Sequence, residues 1–363
     1  MPLTTPTAVP VGRRGRWRTR WARRVGLAVA VLGLAAVPLG LSAAGTAGAA
    51  QSKGTSTSTT ANLSGVTVNF GDQIKYYQTV AQGGNALQGA PYSVSWSNFL
   101  GGPPVVTAMT GGSVDVGFMA ETPTIFAQAA GDPIKVIGVQ QGVPGSPSPF
   151  AVMVPTGSSI KKISQLKGKT VAVDEGTVSQ YALVKILQKA GLSYKSVQID
   201  NLPLAAVAAA LESGKVDAAA LDEPFISQVE AAHKGTVLAS GEGVTTYLNY
   251  LVASQSALSN PKKAAAIVDL SARLYKAAAQ LQKNPQLAAE TYVKTYGVTM
   301  AEAESIVKSA KVSLTPINPS VIRYQQQEAN TFAQLGLIPN KINVSKAFSL
   351  PVNRQVMAAV AGT

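Results

Sequence analysis

Apolar residues along this chain follow two rhythms. Short continuous apolar runs alternate with longer stretches in which apolar positions recur every three or four residues, the patterns of buried strands and amphipathic helices. Residues 66–70, 92–99, 114–119 and 134–139 read as strands, and so do 150–154, 170–173, 197–202, 216–221 and 247–253. Helical stretches separate them: one reaches Gln82, one opens with Pro103-Pro104 and one opens with Glu121-Thr122-Pro123. Proline is accepted in the first turn of a helix, where its missing N–H has no intrahelical partner to lose. A short helix lies within 160–168, another runs from the turn at 174–179 to Ala190, and Gly191 stops it. Further helices occupy 204–213 and the residues from Glu223 onward, while 143–149 (VPGSPSP) reads as loop. Beyond Pro261 the pattern is entirely helical, over 262–283, 285–296, 299–310 and 319–335. Strands alternating with helices predict an α/β protein with largely parallel sheets and a helical C-terminal segment.

One arrangement occurs twice. Gly112-Ser113-Val114-Asp115 leads an apolar strand that ends at Glu121-Thr122-Pro123, and Gly214-Lys215-Val216-Asp217 leads another that ends at Glu223-Pro224. In each, Gly stops a helix, Val-Asp begins a strand, and a Glu six residues after the Asp starts the next helix. A strand that feeds a polar turn at a helix N-terminus is where open α/β sheets bind ligands, anionic ones above all. Built twice, it predicts two lobes whose sheet edges enclose a cleft. The chain then passes between lobes near 140–150 and returns near 240–250, and two crossings make a hinge.

Charge changes the picture less than its total suggests. The formal net charge of +13 includes seven arginines within residues 1–50 (Arg13, Arg14, Arg16, Arg18, Arg20, Arg23 and Arg24), a stretch without acids. Without them, 24 basic residues face 18 acidic ones, a net +6, and the lysines are scattered. That is not the footprint of a nucleic-acid-binding protein. The arginines precede an uncharged apolar run at 25–41, and Ala47-Gly48-Ala49 offers a cleavage site, so the leader reads as an export signal. Arg23-Arg24 abuts the apolar run and keeps the twin-arginine route open beside ordinary secretion. A retained anchor is the alternative, because 17 residues lie at the short limit for spanning. With no Cys there is no lipid-linked N-terminal Cys, disulfide or thiolate metal site. The mature protein is expected outside the cytoplasmic membrane.

The run WSNFLGGPPVVTAMTGGSVDVGFMAETPTIFAQAAG resembles the corresponding stretch of the aliphatic sulfonate/nitrate/taurine family of substrate-binding proteins of ABC importers. The resemblance continues in 163–173 (ISQLKGKTVAV), 176–191 (GTVSQYALVKILQKAG) and 213–225 (SGKVDAAALDEPF), and covers residues 66–253 by motif. It implies the two-lobed type II periplasmic-binding-protein fold, a small anionic or zwitterionic ligand, an ABC permease as partner and a monomer without cofactor. With the leader, the Ser/Thr/Gly-rich stretch after it and the two crossings, the expected organisation is export signal (1–49), flexible linker (50–63), first part of lobe 1 (64–145), lobe 2 (146–244) and the return with C-terminal helices (245–363). Organosulfonates lead among the ligands. Nitrate, a pyrimidine thiamin precursor and a biosynthetic enzyme on the same fold remain alternatives. Two departures fall at expected pocket turns: Ala120 stands where the family often has Gly, and Leu221-Asp222-Glu223-Pro224 carries an extra acid.

The candidate ligand residues lie at the predicted strand ends. Glu121 and Thr122 open a helix whose free N–H groups would hold a sulfonate oxygen, though Thr122 serves equally as a cap. Gly176, Thr177 and Ser179 form the matching N-terminus in the other lobe, where Gly admits a close approach and hydroxyls donate without charge. Asn98 and Phe99 end a strand facing the cleft, Trp96 reads equally as core, and Gln73 brings an amide donor. Asp222 and Glu223 would repel a bare anion but suit an ammonium group, as in taurine. His233, the single histidine, has no partner pattern for catalysis or metal and reads as a surface helix residue. Asp174-Glu175 are adjacent at a turn and should point apart rather than work as an acid/base pair. Gly101-Gly102-Pro103-Pro104 cannot cradle phosphate, because Pro lacks the N–H.

Overall fold

The computed structural model describes residues 62–143, 148–309 and 311–362; the expected export signal lies outside the described residues, as does most of the linker. The chain opens with β1 (Thr67–Gln73), α1 (Tyr76–Gly83), β2 (Ser93–Phe99), α2 (Gly102–Thr110), β3 (Val116–Ala120), α3 (Glu121–Ala130) and β4 (Ile134–Gly142). It continues with β5 (Phe150–Pro155), β6 (Thr170–Val173), α4 (Val178–Lys189), β7 (Gln198–Asn201), α5 (Leu204–Glu212), β8 (Ala218–Asp222), α6 (Phe225–Ala231) and β9 (Gly235–Ser240). Then come β10 (Leu248–Ser254), α7 (Gln255–Ser259), α8 (Pro261–Lys283), α9 (Pro285–Tyr296) and α10 (Met300–Ser309). The chain closes with β11 (Val312–Thr315), α11 (Pro319–Leu335) and α12 (Leu350–Ala361).

These strands form two sheets, ordered β11-β4-β10-β3-β1-β2 and β7-β6-β8-β5-β9. Two crossings link them: the chain leaves the first sheet after Gly142 and rejoins it at Leu248. Apart from β11, the two sheets have one plan. A strand arriving from the other lobe, β10 in one and β5 in the other, is inserted antiparallel next to the third strand of the local βαβ series. The expectation of largely parallel sheets is corrected accordingly, since both sheets are mixed. A strand buried on two faces reads as the same apolar run in either direction. In β10, Leu248, Tyr250 and Val252 enter the core under α2, α3 and α11, while Leu251 and Ala253 enter the core under α1 and α8. In β5, Phe150, Val152 and Val154 face α4, while Ala151 and Met153 face α5 and α6. Each lobe is thus a sheet between two helical layers.

Three further expectations are corrected. The C-terminal third is not entirely helical, because β11 adds an antiparallel edge to β4. α6 begins at Phe225, and Glu223 stays in the preceding turn, where its carboxylate accepts from Ser227 N–H at 3.2 Å and caps the helix from outside. His233 lies exposed in the turn after α6, with φ 54°, rather than on the helix.

The repeated Gly-x-Val-Asp motif has a structural task in both lobes. Asp115 Oδ2 accepts from the Asn69 N–H of β1 at 2.9 Å, and Asp217 Oδ2 accepts from the Thr170 N–H of β6 at 2.9 Å. Each Asp N–H donates back to the same residue's carbonyl. The aspartates tie the start of the third strand to the first, which sets the register that carries both strand ends to the same edge.

Candidate functional site

The parallel β1, β2 and β3 end at one edge of the first sheet, and β6, β7 and β8 end at one edge of the second. Helices α2 and α3 start at the first edge and α4 at the second. These starts approach across the lobes: a Cβ on Gly101 would lie 3.7 Å from Asp174 Oδ2, and one on Gly176 would lie 3.6 Å from the Phe126 ring. Within the first lobe, a Cβ on Gly102 would sit 2.3 Å from Pro123 Cγ, so only Gly lets the first turns of α2 and α3 lie side by side. Tyr181 of α4 packs against Phe332 and Tyr324 of α11, with ring centroids 5.8 and 6.4 Å apart. The two walls therefore touch along α3, α4 and α11.

Several sequence-derived candidates sit at these edges with their polar atoms already committed. Gln73 Nε2 donates to Phe118 O at 2.8 Å, and Asn98, which is exposed, accepts from Lys75 N–H at 2.6 Å. Phe99 packs into the first lobe's core, while Trp96 is half-buried against Phe70 at 4.9 Å. Thr177 is the α4 cap, accepting from Gln180 N–H and donating to Asp174 O, and Gly176 N–H donates to Gln180 Oε1 at 2.9 Å. Thr122 donates its hydroxyl to Glu328 of α11. Glu223 caps α6. The pair Asp174-Glu175 does diverge, with Glu175 bound to Asn201 at 3.0 Å.

Three candidates hold buried polar atoms without a partner: both carboxylate oxygens of Glu121, Oγ of Ser179 and Oδ1 of Asp222. Buried polar groups are almost always paired, so these atoms have hydrogen-bonding capacity to offer a bound water or ligand. Glu121 comes from the first lobe, Ser179 and Asp222 from the second. Burial pushes the Asp222 carboxyl up to about 7, and the charges of Asp174 and Glu223 add to that. Asp174 rises to about 6, mainly through burial and further through Glu175. None of the three ion pairs among the described residues involves these acids.

Sequence reasoning missed the aromatic and α11 contributions. Tyr247, in the return crossing, lies within electrostatic reach of both Asp222 and Glu121, and burial first and then those acids raise its hydroxyl. Tyr76 stacks on Phe118 at 5.2 Å beside it. Tyr247 was visible as a strand residue, but nothing local tells that it faces two acids. Glu328 and Gln325 lie over two hundred residues from Glu121, and only α11 packing on α3 joins them. Elsewhere, a groove of about 560 Å³ lined by Tyr275, Lys276, Lys283 and Leu314 shares none of these residues. Among the described residues no cluster of His, Cys, Asp and Glu is arranged for a metal, and no helix is long and apolar enough to cross a membrane.

Comparison with known proteins gives this geometry a setting. The family described as NMT1/THI5 like matches residues 102–288, from the start of α2 to the first turn of α9. A candidate aliphatic-sulfonates-binding protein of Escherichia coli (strain K12) is 29% identical over 259 residues, 71% of this chain and 80% of its own. The taurine-binding periplasmic protein of the same organism is 26% identical over 229 residues, covering 62% of this chain and 65% of that one. Among solved structures, the alkanesulfonate-binding protein SsuA from Xanthomonas axonopodis pv. citri, bound to MOPS, superposes with a TM-score of 0.71. It is 26% identical and covers 79% of this chain and 99% of that one.

Proposed function

The chain belongs to the NMT1/THI5-like family, and we propose that it is an extracytoplasmic solute-binding protein. It captures a small organosulfonate, an alkanesulfonate or a taurine-like molecule, between its lobes and delivers it to an ABC permease. The single observation that carries this reading is the set of orphaned buried polar atoms on both walls, Glu121 on one and Ser179 and Asp222 on the other. A ligand that touches both walls stabilises the closed arrangement by its differential affinity for it, and the two crossings serve as the hinge. The anionic head sits at the starts of α3 and α4, where N–H groups and the Ser179 hydroxyl face it. Asp222 serves a ligand that also carries an ammonium or another donor. The protein works by binding and not by turnover, as a monomer, after export by the N-terminal leader.

A thermal-shift panel tests the ligand class. A ligand at one hundred times its Kd adds about 2.7 kcal/mol of stability, which shifts the midpoint by several degrees. Alkanesulfonates or taurine should produce that shift, while nitrate and hydroxymethylpyrimidine should not. A shift with the pyrimidine alone would move the assignment to a thiamin precursor. Consumption of any of these compounds would replace binding with an enzymatic role.

A further inference from the structure

Glu121 and Glu328 are the acids that burial isolates most completely. Both have no exposed surface. Glu121 opens α3, and Glu328 comes from the middle of α11. The link to the pair is the Thr122 hydroxyl, which donates to Glu328 Oε1; Glu328 Oε2 and both Glu121 oxygens have no hydrogen-bond partner. Around them, Gln325 Nε2 donates to Glu121 O at 3.1 Å and to Thr124 Oγ1 at 2.8 Å, and Tyr250 donates to Gln325 Oε1 at 2.7 Å. Tyr324 accepts from Thr246 N–H, in the return crossing, at 3.1 Å. The pair thus sits where α3, α11, β10 and that crossing meet.

The titratable groups that face it are phenols: Tyr324 from α11, Tyr250 from β10, Tyr181 from α4 and Tyr247 from the crossing. α2 and β3 carry no titratable side chain. Lys135 and Lys346 belong to the opposite end of β4, where Lys135 donates to Lys346 O. No cation among these balances two carboxylates. Two buried acids side by side cannot both ionise, because each charge opposes the other and neither is hydrated. Burial raises Glu121 to about 8, against the weaker pull of its own N–H, the Leu248 N–H and the Tyr324 hydroxyl. Glu328 rises well above the usual carboxyl range through burial and the charge of Glu121.

We propose that Glu121, positioned by Glu328 and Thr122, meets the ligand as a neutral carboxylic acid and donates its O–H to an anionic oxygen. The inference rests on the reading above that the ligand lies at the start of α3. It explains how a cleft edged by acids accepts an anion: the acid nearest the helix N-terminus acts as an uncharged donor. The proton stays on Glu121 and no bond is made or broken.

The test is calorimetry on the purified protein with an alkanesulfonate, in buffers of different ionisation enthalpy, from pH 6 to pH 9.5. Above about pH 8 the expected affinity falls towards tenfold per pH unit, with uptake approaching one proton on binding. Asp222, raised to about 7 on the facing wall, titrates in the same range, so the comparison is made in an Asp222→Asn background. There Glu121→Gln keeps an amide donor and should retain binding while losing the proton uptake and the pH dependence of its parent. Glu121→Ala should lose binding by tenfold or more, and Asp222→Asn should leave the uptake in place. Binding by the wild type without proton uptake, or Glu121→Gln in that background with the full pH dependence of its parent, overturns the proposal and leaves the sulfonate assignment intact. A second readout needs no ligand: the infrared carboxylic-acid carbonyl band at pH 7 should weaken in Glu121→Gln. Its absence in the wild type overturns the neutral acid even if no sulfonate binds, an outcome that would separately refute the ligand class.

Discussion

Asp115 and Asp217 show how one motif does one job at two strengths. Both accept a first-strand N–H at 2.9 Å. Asp115 also holds Lys263 at 2.7 Å with a side chain only 9% exposed, whereas the Asp217–Lys169 pair is 3.5 Å long with both side chains more than a third exposed. Exposed pairs contribute little, while a buried acceptor for an N–H matters more. Asp115→Ala should therefore cost about 2–3 kcal/mol and Asp217→Ala about 1 kcal/mol, read as a lower urea midpoint at unchanged slope. Equal losses would refute the distinction. The echo was legible in the sequence, but its meaning was only half so. The spacing revealed a repeated strand-to-helix exit, while the bond from Asp to a strand some fifty residues earlier depends on register. The same limit applies to the site. Glu121 and Thr122 were legible as a helix start, yet their partner Glu328 is joined to them only by tertiary packing.

Among the elements, the starts of α2 and α3 depend on Gly102. Its hydrogen is all that separates the backbone from the Pro123 ring, with 2.3 Å available to an added Cβ. Gly102→Ala forces the two first turns apart and should cost about 1–3 kcal/mol as overpacking. Because Glu121 and Thr122 start α3, ligand affinity should fall beyond what the lost stability explains. Unchanged affinity in a folded Gly102→Ala protein would separate α2 packing from the site. Central strands were legible because two-sided burial writes a continuous apolar run. β9 and β11 were not. Both are edge strands with half-exposed, polar patterns (GTVLAS and VSLT), held by backbone bonds to β5 and β4 that leave no apolar trace. The antiparallel direction of β10 and β5 was equally silent, since it follows from the chain arriving from the other lobe.

At the scale of the whole molecule, buried acids set the pH response of folding. Glu121 moves from 4.5 to about 8, Asp222 from 3.8 to about 7 and Asp72 from 3.8 to about 6, in each case chiefly because burial disfavours charge. A carboxyl raised on folding binds more protons in the native than in the unfolded state between those two values. Their contribution to stability is then fully present below about pH 4, falls as the pH rises, and is lost through the native values between about 6 and 8. Urea midpoints of the ligand-free protein should decline from pH 5 to pH 9, and Glu328→Gln should flatten the decline. A flat or rising profile would mean that Glu121 and Asp222 are hydrated or paired. The orphaned atoms of Glu121, Ser179 and Asp222 ground the functional reading, because polar atoms buried on both walls are satisfied when a ligand bridges them. Isothermal titration of the purified protein with alkanesulfonates and taurine at pH 7 is the most direct test. One saturable site per chain, weakened at least tenfold by Ser179→Ala and Glu121→Ala, is the expected result. No binding heat with any sulfonate, or binding untouched by both substitutions, would contradict it.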